Sequence, residues 1–229
     1  MNSEEEIYGK KVKMEGEEWL LLPEKAVFWK KQSMLILTDL HLGKAGHFRK
    51  AGIPIPTGVH QADLQCLGKL ITRYQAQKIL MLGDLFHSEI NSEWQSFRDF
   101  LNQHYQLEFI LVKGNHDILP KDAYCEPNLK VYEERWEFSP FSFRHHPIEY
   151  PEMGSGYPVC GHIHPGYKVK IKAGQSIKLP CFFFSASQAI LPAFGKFTGC
   201  VHVAKKAEDQ VFVILSEEGR PGKVMQIRH

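Results

Sequence analysis

Asp39 and His41 stand one residue apart, directly after the apolar run Met34-Leu35-Ile36-Leu37-Thr38. A buried strand that stops there delivers a carboxylate and an imidazole to one loop, where both can reach a single cation. Four more such stretches follow: Gly83-Asp84, Gly114-Asn115-His116-Asp117, His145-His146 and Gly161-His162-Ile163-His164. Taken singly, each has an ordinary explanation. An Asp-x-His triplet occurs by chance, a Gly-Asp pair is most often a turn, and paired histidines on an exposed strand need no metal. Taken together, in order and mostly after apolar runs, they supply the Asp, Asn and His ligands of a two-metal hydrolytic centre. An Asn oxygen suits a hard cation, and the adjacent His116 can act on a substrate without joining the metals.

The elements that must position these groups follow from periodicity. Residues 25–31 and 33–38 are rich in β-formers, and Lys31-Gln32-Ser33 between them is short enough for a hairpin turn. Residues 57–77 bring Val59, Leu64, Leu67, Leu70, Ile71 and Tyr74 round at helical spacing. Residues 78–82 are a continuous apolar strand ending at Gly83-Asp84, residues 92–103 a second helix capped by Asn91 or Ser92, and residues 107–112 a strand ending at the Gly114 motif. This βαβ alternation predicts a parallel sheet, which gathers ligands at the carboxyl ends of its strands. From Lys130 onward short β runs dominate: 131–138, 141–144, 157–160, 167–172, 177–185, 200–204 and 210–215. Two sheets packed face to face with helices outside are expected, and residues 12–22 could add a short strand or hairpin arm.

Composition narrows the function classes. The chain has 229 residues, 43% of them hydrophobic, and a formal net charge of +2, so overall charge implies neither a nucleic-acid nor a membrane partner. Five scattered cysteines without a CxxC spacing argue against a disulfide framework or a thiolate zinc site. The N-terminus is acidic and polar, and no apolar run approaches the roughly 18 residues of a membrane span, so a cytoplasmic protein with no membrane partner is expected.

The ordered set DxH, GD, GNHD, H and GHxH resembles the calcineurin-like metallophosphoesterase superfamily over residues 39–164. Asp39-Leu40-His41-Leu42-Gly43-Lys44, then Phe48-Arg49, Gly52 and Pro56, with Leu191-Pro192-Ala193-Phe194-Gly195 and Phe197-Thr198-Gly199, is similar to the bacterial ligase-associated DNA damage response endonucleases of the PdeM type. The resemblance then covers nearly the whole chain. With no linker-like stretch, one domain over residues 1–229 is expected, its charged first 17 residues frayed, and the resemblance implies an α/β fold: a four-layer α/β/β/α sandwich of two packed mixed sheets. It further implies that Asp39, His41 and His164 hold one divalent ion, that Asn115, His145 and His162 hold a second, and that Asp84 bridges them. His145 rather than His146 is chosen because the family's ligand stands two residues before the proline, here Pro147. Manganese is favoured over iron or zinc by the family. In such a centre the cations activate water for in-line attack on phosphorus.

His116 would protonate the leaving oxygen or stabilise the transition state. Asp117 either orients that imidazole or is a structural turn carboxylate. Lys44 and Arg49 would meet phosphate oxygens, and His87 would contact substrate or a ligand; solvated loop charges are the plainer alternative for the two cations. Phe194 and Phe197 could wall the substrate, though packing explains them better. The implied activity is a phosphodiesterase on DNA, an endonuclease of DNA repair, with DNA and a repair DNA ligase, helicase or exonuclease as partners. The alternatives are hydrolysis of a small nucleotide or lipid-sugar phosphodiester or pyrophosphate, and a non-catalytic interaction module of the same fold. Finally, strand periodicity in residues 167–172 would put Lys168, Lys170 and Lys172 on one face, to meet phosphates or merely to guard a sheet edge.

Overall fold

The computed structural model describes residues 9–42, 59–86, 92–150, 154–171, 174–196, 198–216 and 221–228. Its first sheet holds seven strands in chain order: β1 (Lys10–Met14), β2 (Glu17–Leu21), β3 (Val27–Trp29), β4 (Met34–Leu37), β5 (Lys78–Leu82), β6 (Glu108–Val112) and β7 (Leu129–Tyr132). β1 to β4 pair antiparallel and β4 to β7 parallel. Helices α1 (Val59–Tyr74) and α2 (Ser92–Gln103) form the crossovers between β4 and β5 and between β5 and β6.

Burial on both faces explains why these strands read as unbroken apolar runs. Leu35, Leu37, Ile79, Met81, Phe109 and Leu111 pack with Leu64, Leu67, Leu70, Phe97 and Leu101 of the helices. Their neighbours Met34, Ile36, Leu80, Leu82, Ile110 and Val112 turn the other way, against Phe141, Phe143, Val159, Phe182 and Phe212 of the second sheet. The strand ends that carry the motifs are therefore clamped from both sides.

The second sheet comprises β8 (Arg135–Phe138), β9 (Phe141–Arg144), β10 (Tyr157–Cys160), β11 (Pro165–Lys170), β12 (Ser176–Phe184), β13 (Ala189–Ile190), β14 (Val201–His202), β15 (Gln210–Leu215) and β16 (Lys223–Gln226). Its spatial order is β14-β11-β12-β13-β10-β9-β8, with β15 beside β12 and β16 beside β15. On its outer face Cys181, Val211 and Val213 are covered by Tyr167, Val169, Leu179, Val203 and Ile227. Among the described residues that cluster holds no helical side chain, so the helical layer seen is the one on the first sheet.

Several elements differ from the sequence reading. The single run expected over 131–138 is two strands in different sheets, and the chain crosses between them at Glu133-Glu134. The strand expected over 25–31 is confined to Val27–Trp29, because Lys30–Gln32 turns into a 3-10 helix ending on Ser33 in the left-handed region. The run over 200–204 pairs only at Val201–His202, and the short strands β13 and β16 were not anticipated. The arm expected at 12–22 is a full hairpin that starts at Lys10, so residues 10–17 are paired strand and turn and not frayed as their charge suggests. It is closed by Glu15 (φ 47°) and Gly16 (φ 84°), the two positive φ values that a two-residue I′ turn requires. No described helix is long and apolar enough to cross a membrane.

Candidate metal centre and active site

Beyond Leu37 the β4 and β5 chains remain zipped together through the motifs. Asp39 N–H donates to the Gly83 carbonyl (3.1 Å), His41 N–H to the Asp84 carbonyl (2.9 Å) and Leu42 N–H to the Leu85 carbonyl (2.8 Å). The 191–195 segment straps the same end, Phe194 N–H donating to the Thr38 carbonyl and Gly195 N–H to the Asp39 carbonyl. Phe194 itself is buried in the core beneath the helices, so it is a packing residue and not a substrate wall.

Two close approaches depend on glycine. A Cβ on Gly161 would fall on Thr38 Oγ1 and lie 2.6 Å from Asp39 Oδ2; one on Gly83, whose φ is +77°, would collide with the His145 ring. We expect Gly161→Ala to cost about 1–3 kcal/mol by overpacking, and to lower metal occupancy by displacing Asp39. A thermal melt with and without added manganese checks both effects; wild-type melting with full occupancy would contradict them.

Asp39 (φ 54°), His41 (φ 49°), Asp84 (φ 49°), His162 (φ 66°) and His164 (φ 52°) all occupy the left-handed region. Such a backbone costs on the order of 1–3 kcal/mol for a non-glycine residue and persists where surrounding structure imposes it, commonly at functional sites. Here it turns alternate side chains out of the strand direction and inward upon one another.

The ligand atoms converge in two groups. In the first, His164 Nε2 lies 3.1 Å and His41 Nε2 3.8 Å from Asp39 Oδ1, and His41 Nε2 lies 3.7 Å from Asp84 Oδ2. In the second, His145 Nε2 lies 3.4 Å from Asp84 Oδ1 and 3.2 Å from His162 Nδ1. Asp84 therefore turns one oxygen toward each group. Its backbone neighbourhood fixes it: Oδ1 also accepts the His116 N–H at 2.9 Å. Burial alone would raise the Asp84 carboxyl, but the His145 hydrogen bond and charge, the His116 N–H and the His41 charge together hold it well below the usual carboxylate range.

Cations fit this arrangement. Asp39 Oδ1 is buried and accepts no hydrogen bond among the described residues, while Oδ2 is engaged by Thr38 Oγ1 (2.6 Å) and His162 N–H (3.1 Å). His145 Nδ1 faces the Leu82 carbonyl at 2.8 Å and so carries a proton there, which turns Nε2 toward a carboxylate and a second imidazole. That geometry is repulsive unless a proton or a metal ion lies between them, and a carbonyl that sets a tautomer is the usual support of a ligating imidazole.

His145 is buried, whereas His146 is exposed; its ring lies 4.3 Å from that of His162 and its nitrogen is close enough to share an ion with His145 and His162. Asn115 is exposed between Gly114 and His116, whose backbones both touch Asp84. The His116 ring stands 5.5 Å from the His41 ring, half-buried at the rim. Asp117 is buried, and its oxygens accept the N–H groups of Phe86 (3.1 Å) and Gly114 (2.9 Å), tying the ends of β5 and β6 together. Burial pushes its pKa up to about 6. These two bonds fix the Asp117 carboxylate beside the Gly114 turn that carries His116. Lys44, Arg49, His87, Lys172 and Phe197 lie outside the described residues.

One group of cations had no signal in the sequence. A cavity of about 350 Å³ beside Asn115 and His146 is lined also by Lys113, Arg135 and Arg144 and by the acidic Glu133 and Glu134, and Lys113 is paired with Glu133 at 3.1 Å. Arg135 and Arg144 stand directly opposite each other across β8 and β9, a juxtaposition that only strand register reveals.

Three comparisons bear on this site. The family described as calcineurin-like phosphoesterase matches residues 33–187. Among solved structures, the nuclease MPE of Pseudomonas putida is similar at 26% identity with a TM-score of 0.76, over 90% of this chain and 96% of that one. The phosphoesterase Yfce of E. coli aligns at 13% identity with a TM-score of 0.44, over 78% and 86% of the two chains, too distant to inform any detail. No curated protein matches.

Proposed function

The chain belongs to the calcineurin-like phosphoesterase family and is a metal-dependent phosphoester hydrolase, and from that premise we propose a DNA endonuclease acting in repair. One observation carries the choice of substrate class: a nuclease aligns over nearly the full length of both chains. The centre described above supports the chemistry. Asp39, His41 and His164 would hold one divalent ion, Asn115, His145 and His162 the other, and Asp84 would touch both; mixed oxygen and nitrogen donors accommodate manganese, the metal favoured here. Such a pair of ions supplies an activated water and stabilises charge on the phosphoryl oxygens.

The chain's own groups do the rest. His116, at the rim, donates a proton to the departing oxygen. Asp117 acts as a positioning residue, holding the Gly114 turn so that the His116 N–H stays on Asp84. Arg135 and Arg144 take oxygens of the substrate diester, a role for which a guanidinium is well shaped. Lys44, Arg49 and His87 are assigned to substrate by sequence alone. A DNA ligase, helicase or exonuclease of repair is the partner class this reading implies, and the five free cysteines accord with a reducing cytoplasm.

The test is hydrolysis of circular single-stranded DNA, linear duplex and bis(p-nitrophenyl) phosphate by the purified protein, with manganese and with chelator. Cleavage of the circle, abolished by chelator, is expected. Hydrolysis of the aryl diester alone would move the substrate to small phosphodiesters, and inactivity toward all three would leave an interaction module.

A further inference from the structure

Residues 153–207 contain seven lysines and not one Asp or Glu, although the chain as a whole carries a net charge of only +2. The rest of the chain is therefore net negative, and the positive charge is concentrated on the half of the second sheet that grows out of the metal centre. β11 begins at Pro165, directly after His164. Its residues Tyr167 and Val169 pack into the small outer apolar cluster, which leaves Lys168 and Lys170 on the opposite face, both exposed.

The register adds a third cation that sequence periodicity could not. Lys178 of β12 is the direct cross-strand partner of Lys168, and it too is exposed. A Cβ on Gly166 would lie 3.3 Å from Lys178 Cγ, so the Lys178 stem lies over Gly166, on the side of β11 nearer His164. Among the described residues none of the three lysines has a carboxylate partner. Like charges directly opposite one another in an antiparallel pair are destabilising. A sheet edge needs only charge to prevent strand addition, of either sign, and an opposed Lys-Glu pair would serve without repulsion. Edge guarding thus explains the presence of lysines here but not their juxtaposition or the lack of anions, whereas a polyanion laid between them explains both.

Resting on the nuclease reading, and extending it, we propose that Lys168, Lys170 and Lys178 form a track for the sugar-phosphate backbone of a nucleic-acid strand leaving the metal centre. Each contact displaces counterions, so binding weakens with salt in proportion to the number of phosphates met, by roughly 0.7 log units per log unit of salt for each contact on a single strand.

The experiment measures binding of fluorescein-labelled oligodeoxythymidylate by anisotropy in chelator, across a salt series, for wild type, the triple variant K168E/K170E/K178E and the charge-neutral triple variant K168Q/K170Q/K178Q. All three positions are exposed, and a thermal melt confirms folding. The slope should become shallower by about 2 in the Gln variant, so that from about 50 to 200 mM salt wild type loses roughly 20-fold more affinity than the variant does. The Glu variant should bind still more weakly, while both hydrolyse bis(p-nitrophenyl) phosphate at the wild-type rate. Wild-type slopes in folded variants would overturn the track while leaving DNA cleavage by the native protein intact. Charge-dependent binding to phosphatidylserine vesicles with no response to the oligonucleotide would overturn it in favour of a membrane surface. Failure of the nuclease reading is read separately, as absence of DNA cleavage by a wild-type protein that still hydrolyses the aryl diester.

Discussion

Asp84→Asn should reduce phosphodiester hydrolysis by at least ~10²–10³, the scale of losing one charge-stabilising group at a reacting centre, and should leave fewer than two metal ions per chain. The size of the effect follows from how fully the carboxylate is used. One oxygen lies 3.4 Å from His145 Nε2 and accepts the His116 N–H at 2.9 Å, and the other lies 3.7 Å from His41 Nε2. An amide matches the carboxylate in volume but turns its NH₂ either toward the His116 N–H, donor against donor, or toward the ion that His41 would hold, donor against cation. The fold should survive, because the replacement removes a buried charge without opening a cavity. Elemental analysis beside a steady-state assay checks the pair of effects. Unchanged turnover with two ions still bound would mean that Asp84 is only a turn residue.

His116→Ala should retain both metals and slow the reaction by about 10²–10⁴, the usual worth of a general acid. The main-chain N–H that orients Asp84 survives this substitution, so the metal geometry is spared. Leaving-group dependence separates proton donation from simple positioning. A deoxyribose oxygen needs a proton on departure and should suffer the full loss, whereas p-nitrophenolate leaves readily without one and should suffer much less. Equal losses on both substrates would reduce His116 to charge stabilisation, and loss of metal would make it a ligand.

Much of this was legible in the sequence because burial writes itself into residue choice. Strands β4, β5 and β6 are apolar on both faces, so they appear as unbroken runs with the motifs at their carboxyl ends. The crossing at Glu133-Glu134 was not legible: both flanking halves are β-rich, and which sheet a strand joins is decided by tertiary pairing. The strained backbone at Asp39, His41, Asp84, His162 and His164 left no signal, since neither Asp nor His is reserved for that conformation as glycine is. The choice between His145 and His146 had a usable clue in the period of two. Phe141 and Phe143 face the interior, and the next residue in that series is His145. Lys178 and the Arg135–Arg144 pair were beyond reach, because cross-strand neighbours come from register and not from spacing.

The central claim is that these loops hold two divalent ions side by side, sharing Asp84. Electron paramagnetic resonance during titration of the metal-free protein with manganese tests it most directly, because ions sharing a carboxylate at roughly 3.5–4 Å couple magnetically and isolated ions do not. Two manganese ions per chain with a spin-coupled spectrum, lost in Asp84→Asn, are predicted. Saturation at one ion per chain, or two ions giving only the six-line signal of isolated manganese, would contradict the account.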